Sequence, residues 1–177
     1  MMVSSGKCVC CGWCCKTSRS PIEIEGPGGK LKMVTGILLF PGEVSLFPAG
    51  ADYIKPYWGR GKAPKIRPVS YQVDTERCPL LSPDNLCTVY ERRPLTCRAY
   101  PINLLEMIQD GGYKSQTPCN IVHGFMGSLP ADIVEAHQTI SDRMMNSGFT
   151  WIWDLETSQW VHNSEITKVA QGDGKGK

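Results

Sequence analysis

Three features of the chain predict an α+β fold, small and loop-rich, organised around cysteine-ligated metal centres, with a C-terminal helix and a short β-hairpin. Five cysteines crowd into Cys8–Cys15, and four more, Cys78, Cys87, Cys97 and Cys119, follow at wide intervals. The segments between them are short, with alternating apolar and polar residues, and the 18 glycines and 13 prolines of the chain cut them into turns and loops. One segment, beginning near Pro130, carries a clear helical period. At 177 residues the expectation is one domain over residues 1–170, with a ligand region at 8–119, a packing helix and hairpin within 128–162, and a disordered tail at 171–177 that lacks apolar residues.

The opening loop reads Cys8-x2-Cys11-x2-Cys14-Cys15, a spacing with which a tight turn wraps one centre, and Cys10 falls outside that register. Gly12 stands where such a turn calls for positive φ or close backbone approach. In extended or turn backbone, neighbouring side chains diverge, so Cys14 and Cys15 are expected to serve different centres or different faces of one. Next, Pro21–Glu25 alternates like an edge strand and leaves through the turn Gly26-Pro27-Gly28-Gly29, which has neither the hydroxyl residue nor the following helix of a phosphate loop.

Leu31–Phe40 is apolar core material, and Pro41 with Glu43 opens a short helix that ends before Pro48. Lys55, Arg60, Lys62, Lys65 and Arg67 follow with no acid among them and with Tyr57 and Trp58 interleaved. Prolines and glycines in that span indicate a loop with a solvated basic surface, and binding of nucleic acid is the alternative. Val69–Val73 reads as a strand, with Leu86–Tyr90 returning beside it. Pro94 starts a short helix through Arg98 that Pro101 stops. Ile102–Gln109 and Tyr113–Thr117 flank Asp110-Gly111-Gly112 as a hairpin that delivers Cys119.

The helix after Pro130 places Ile133, Ile140 and Met144 on one face and stops at Gly148. Beyond it, Phe149–Val161 reads as two short strands around a polar turn, with Trp151, Trp153 and Trp160 as core rather than a ligand cage.

Composition narrows the function. A net charge of +2 argues against a global attraction to nucleic acid or an anionic membrane, so a partner, expected to be a protein, must be recognised locally. No apolar run reaches membrane-spanning length and the first residues lack the apolar core of a signal peptide, so the expected compartment is the cytoplasm and no membrane partner is expected. In a reducing compartment nine cysteines are more naturally metal ligands than disulfides.

Setting Cys10 aside leaves Cys8, Cys11, Cys14, Cys15, Cys78, Cys87, Cys97 and Cys119, enough for two four-thiolate centres, with other partitions open. Such centres are anionic. Lys7, Lys16 and Arg19 near the loop, and Arg92, Arg93 and Arg98 near Cys97, are candidates to offset that charge. The x2, x2 run favours an iron-sulfur cluster, of the 4Fe–4S type and up to two in number, with zinc as the alternative. Catalytic residues are not evident: His123, His137 and His162 are isolated, and neither a Ser-His-Asp set nor a carboxylate pair stands out.

The ordered combination of Cys8-x2-Cys11-Gly12-x-Cys14-Cys15, Cys78-Pro79-Leu80-Leu81, Cys87-Thr88-Val89-Tyr90-Glu91-Arg92-Arg93-Pro94 and Cys97-Arg98-Ala99-Tyr100-Pro101 resembles the YkgJ-type cysteine-cluster proteins. That resemblance runs from Cys8 to about Cys119 and implies a zinc- or iron-chelating domain with the eight named cysteines as ligands. The family also includes flagellin lysine N-methylases, similar to this chain only in the cysteine domain.

Three functions follow as expectations. The first is an iron-sulfur protein acting in electron transfer or in a larger redox or assembly complex. The second is a zinc-stabilised interaction module, and the third an enzyme resembling the lysine methyltransferases.

Overall fold

The computed structural model describes residues 12–16, 18–26, 29–100 and 131–164. The chain is α+β, as expected, and falls into two compact units that each combine separate stretches: Met1–Thr17 with Arg77–Asn146, and Ser18–Glu76 with Ser147–Lys177.

The second unit is built from strands. β1 (Ser20–Gly26) and β2 (Gly29–Thr35) pair antiparallel, with Gly26 opposite Gly29. β3 (Ile37–Leu39) leads into a 3-10 helix over Pro41–Leu46, where Glu43 accepts a hydrogen bond from the Phe40 amide at 2.8 Å and so fixes the first turn. β4 (Ile54–Pro56) and β7 (Tyr71–Val73) complete a three-stranded sheet ordered β3-β7-β4.

A four-stranded antiparallel sheet, ordered β6-β5-β8-β9, contains β5 (Trp58–Lys62), β6 (Lys65–Pro68), β8 (Trp151–Asp154) and β9 (Gln159–His162). The basic segment is therefore mainly strand, which corrects the loop expectation. Its prolines sit where strands tolerate them, at the end of β4, at the end of edge strand β6, and in the turn at Pro64.

Buried Met33, Leu38, Leu39, Phe40, Phe47, Trp58, Val73 and Leu155 form the apolar core of this unit. Trp58 stacks on Phe149 with centroids 5.0 Å apart and meets Phe40 edge-on at 6.2 Å. Polar groups bind the sheets together. Gln72, wholly buried, donates from Nε2 to the carbonyls of Pro56 at 2.8 Å and Trp153 at 3.0 Å, and accepts from the Gly36 amide at 2.7 Å. Gly36 is there because a Cβ would lie 2.0 Å from the Val73 carbonyl oxygen.

Asp154 accepts from the Val34 amide at 2.9 Å and, around the β8–β9 turn, from the amides of Glu156 and Thr157 and the Thr157 hydroxyl. Trp153 and Trp160 pack edge-to-face at 5.2 Å. They and Trp151, expected as core, are half-buried, whereas Trp58, expected within a solvated basic loop, is buried.

Among the described residues of the first unit, turns and short helices run as far as Ala99, and one long helix follows at Ala131. α1 (Trp13–Lys16) is one turn, and the Gly12 carbonyl accepts from the amides of Cys15 and Lys16. Arg77–Val89 folds on itself through a turn at Ser82–Leu86 and an isolated bridge between Leu81 and Cys87. Leu86–Tyr90 was expected to be a strand beside Val69–Val73. Instead Thr88 bonds back to Leu80 through both its amide and its hydroxyl, and a 3-10 turn occupies Tyr90–Arg92. Local side chain-to-backbone bonds here replace a sheet ladder.

α2 (Leu95–Ala99) follows Pro94 as predicted and buries Leu95 and Ala99. α3 (Ala131–Ser147) buries Ile133 and Ala136, half-buries Ile140 and Met144 on the same side, and is followed by Gly148 at φ +59°. The predicted hairpin over Ile102–Thr117 and the predicted tail at 171–177 lie outside the described residues.

Candidate metal centre

The site begins with the turn that brings two cysteine segments together. Gly12 adopts φ +70°, and a Cβ there would lie 3.2 Å from Asn85 Cβ, so glycine satisfies both the backbone conformation and the close approach. Asn85 has φ +61°, a conformation that asparagine tolerates better than most residues. Three residues beyond Gly12, the Cys15 carbonyl accepts the Cys78 amide at 2.6 Å. At Cys15, the described end of the loop, the predicted proximity to the downstream cysteines is therefore present in the main chain.

Five of the eight predicted ligands are described, and they form one neighbourhood: Cys14, Cys15, Cys78, Cys87 and Cys97, all reduced. Cys14 Sγ and Cys15 Sγ are 3.9 Å apart. The divergence expected of them fails because residues 13–16 are helical rather than extended, so consecutive side chains are splayed by only part of a turn. Cys8, Cys11 and Cys119, with the spare thiol Cys10, lie outside the described residues. Among the described residues no three donors already stand in a closed metal-holding arrangement.

The thiols are electrostatically differentiated. Cys15 shares its proton with Cys14 and Cys78, which raises its own pKa and brings each neighbour down to about 7 against the opposing effect of burial. Burial raises Cys97 and Cys87, and the charges of Cys78 and Cys14 raise both further. Arg93 acts oppositely, its guanidinium lowering Cys14, Cys87 and Cys97. It is held 4.2 Å above the Tyr90 ring.

Of the six basic residues proposed to balance the centre, Lys7 lies outside the described residues, and among the other five Arg93 is the one whose charge reaches these thiols. Arg19 instead pairs with Asp74 at 3.3 Å, and Lys16, Arg92 and Arg98 are exposed. Tyr90 and Asn85 were missed as supports, although an arginine three residues after a tyrosine and an asparagine ending a Ser-Pro-Asp-Asn turn were the available signals. This cluster of soft donors, two of them close to thiolate near neutral pH and one cation beside them, has the chemistry of a thiophilic metal site.

A family model named CxxCxxCC, described as "Putative zinc- or iron-chelating domain", matches residues 7–120. The chain belongs to the CxxCxxCC family. The matched span contains every cysteine of the candidate centre and ends one residue after Cys119. Comparison with curated proteins and with solved structures finds no match. Metal binding is thus the property that the family and the thiol cluster share. The histidines do not extend it among the described residues: His137 lies in α3, and His162 belongs to the other unit, against Trp151 and Ser164. No helix among the described residues is long and apolar enough to cross a membrane.

Proposed function

We infer that this CxxCxxCC protein holds a single metal ion, zinc in preference to iron, in a closed four-thiolate site that folds the cysteine unit and makes the protein an interaction module. The observation that carries this reading is the 3.9 Å between Cys14 Sγ and Cys15 Sγ. A tetrahedral ion with metal–sulfur bonds of about 2.3 Å separates its sulfurs by roughly 3.8 Å. In a four-iron cluster each cysteine sulfur is carried by a different iron, which spreads the thiolates apart. Cys14 and Cys15, with Cys78 sharing the Cys15 proton, are accordingly the core of the proposed ligand set, and Cys87, Cys97, Cys8, Cys11 and Cys119 are the pool that completes it. A closed site leaves no open coordination position, so its binding energy goes into folding rather than catalysis. A reducing compartment such as the cytoplasm would keep these thiols available to the ion.

The x2, x2 run of Cys8, Cys11 and Cys14 favours a second reading, an iron-sulfur cluster serving electron transfer or a larger redox assembly. Metal analysis and visible absorbance of protein purified without oxygen decide between them. Zinc in colourless protein supports the first reading. Iron with matching acid-labile sulfide and a brown chromophore overturns it in favour of the second.

A further inference from the structure

The β unit carries a second feature that the metal chemistry does not use. β5 and β8 pair only at Trp58 with Ile152 and Gly59 with Trp151, whereas β5 and β6 stay paired through Lys62 with Lys65. Residues 60–67 therefore continue as a two-stranded ribbon past the β5–β8 pairing. In that ribbon Arg60 is opposite Arg67, and Lys62 is opposite Lys65. Directly opposed residues share a face, as do residues two apart on one strand, so all four cations stand on one face of the ribbon. All four are exposed. Among the described residues no carboxylate pairs with any of them. Lys55, grouped with them in the sequence, is half-buried on β4 of the other sheet.

The opposite face is braced. Trp151 Nε1 donates to the Gly61 carbonyl at 3.0 Å, and Cβ atoms at Gly59 would strike the Trp160 ring at 2.7 Å and Ile66 at 2.6 Å. The two faces thus have separate tasks, aromatic support behind and uncompensated charge in front. Protection of an exposed edge would explain charges on the outer strand β6, since lysines there discourage pairing with another sheet. It does not explain Arg60 and Lys62 on the inner strand, nor two like-charge cross-strand pairs, which repel.

We propose that this ribbon face binds the phosphodiester backbone of single-stranded nucleic acid. The Cβ footprint of the four cations is about 7 Å along the strands and about 5 Å across them. That is smaller than the roughly 12 Å width of a duplex major groove, so the four charges address one strand's phosphates rather than both. Arginine and lysine are well suited to phosphate oxygens, the arginines with two parallel donors each. The face offers only cations, which engage phosphates, so binding is independent of sequence. The site is independent of the metal reading and uses none of the cysteines.

The test is fluorescence anisotropy of a labelled single-stranded oligonucleotide of mixed sequence, titrated with the full metal-loaded chain at several salt concentrations. Affinity should fall with salt with a log–log slope of about −2.8, from four phosphates at about −0.7 each. The variant Arg60→Gln/Lys62→Gln should halve that slope and weaken binding on the order of tenfold at low salt. Its melting temperature should stay level or rise, because like-charge repulsion is relieved. Unchanged affinity in this folded variant overturns the proposal, as does salt-insensitive binding by the parent chain. A duplex of the same sequence, a polyglutamate peptide or anionic vesicles bound as tightly as the single strand would equally overturn it.

Discussion

The amide of Cys78 donates to the carbonyl of Cys15 at 2.6 Å, joining two cysteine-bearing segments that are far apart in the chain. Because this bond is made by the main chain, replacing a sulfur by oxygen does not remove it. Variants of the thiols therefore report on ligation rather than on loss of the connection.

With Cys14 and Cys15 on one ion, Cys14→Ser and Cys15→Ser should each abolish the same equivalent of metal. At most one of Cys11→Ser and Cys97→Ser should also lose the ion, since three of its four ligands are then already assigned and a serine hydroxyl stays protonated and is a poor partner for a soft ion. Cys10→Ser, outside the x2 register, should keep the parent stoichiometry. Metal content of the five purified variants is the measurement. Retention of half the metal in Cys14→Ser, with the other half lost in Cys15→Ser, would place the two sulfurs on separate centres.

Removing the ion should unfold the two units unequally. Arg77–Ala99 depends on short turns and a handful of buried side chains, a construction that ordinarily relies on metal for its folding energy. The strands of Ser18–Glu76 and Thr150–His162 contain no cysteine and carry their own ladders and core. Chelation should abolish amide-exchange protection in residues 78–99 while the strand amides of Tyr71–Val73 and Trp151–Asp154 stay protected. Uniform loss of protection in both would refute an independent β unit.

Asp154 provides a pH-dependent test of that unit. Burial alone would raise its carboxyl, but the Thr157 hydroxyl and the amides of Val34, Glu156 and Thr157 hold it below its ordinary value. A depressed folded-state pKa means a contribution fully present above the unfolded value of about 3.9, and lost as pH falls through the folded one. Asp154→Asn should cost about 2 kcal/mol at neutral pH, because an amide turns donors toward donors. The gap between variant and parent should close in strong acid. Urea unfolding across pH checks this, and a gap independent of pH would contradict the assignment.

At Gln72 the direction of each hydrogen bond is essential. Gln72→Glu would set a carboxylate oxygen against the carbonyls of Pro56 and Trp153, both of which now accept from Nε2. We expect at least about 3 kcal/mol of destabilisation at neutral pH, from a buried charge facing two unpaired acceptors. Gln72→Met, which removes the polar group without adding charge, should cost less. Thermal unfolding of the two variants gives the order, and its reversal would mean that the amide is not oriented as described.

Read by itself, the chain determined those features that depend on neighbours in sequence. The positive φ of Gly12, the pairing of β1 with β2, a short helix at Pro41, α2 behind Pro94, α3 with its Gly148 stop and the β8–β9 hairpin all follow from local period and turn chemistry. Tertiary structure decided the rest. One helical turn put the Cys14 and Cys15 sulfurs 3.9 Å apart, Thr88 turned to Leu80 instead of to Val69–Val73, and Arg93, alone of the five described cations, came to bear on the thiols. The basic segment became a ribbon because Arg60 and Lys62 found strand partners in β6. Each of these outcomes depends on which distant backbone group satisfies a hydrogen bond or which distant charge lies close enough to act. Periodicity within a short window does not contain that information, since the partner is chosen only when the chain has folded back on itself.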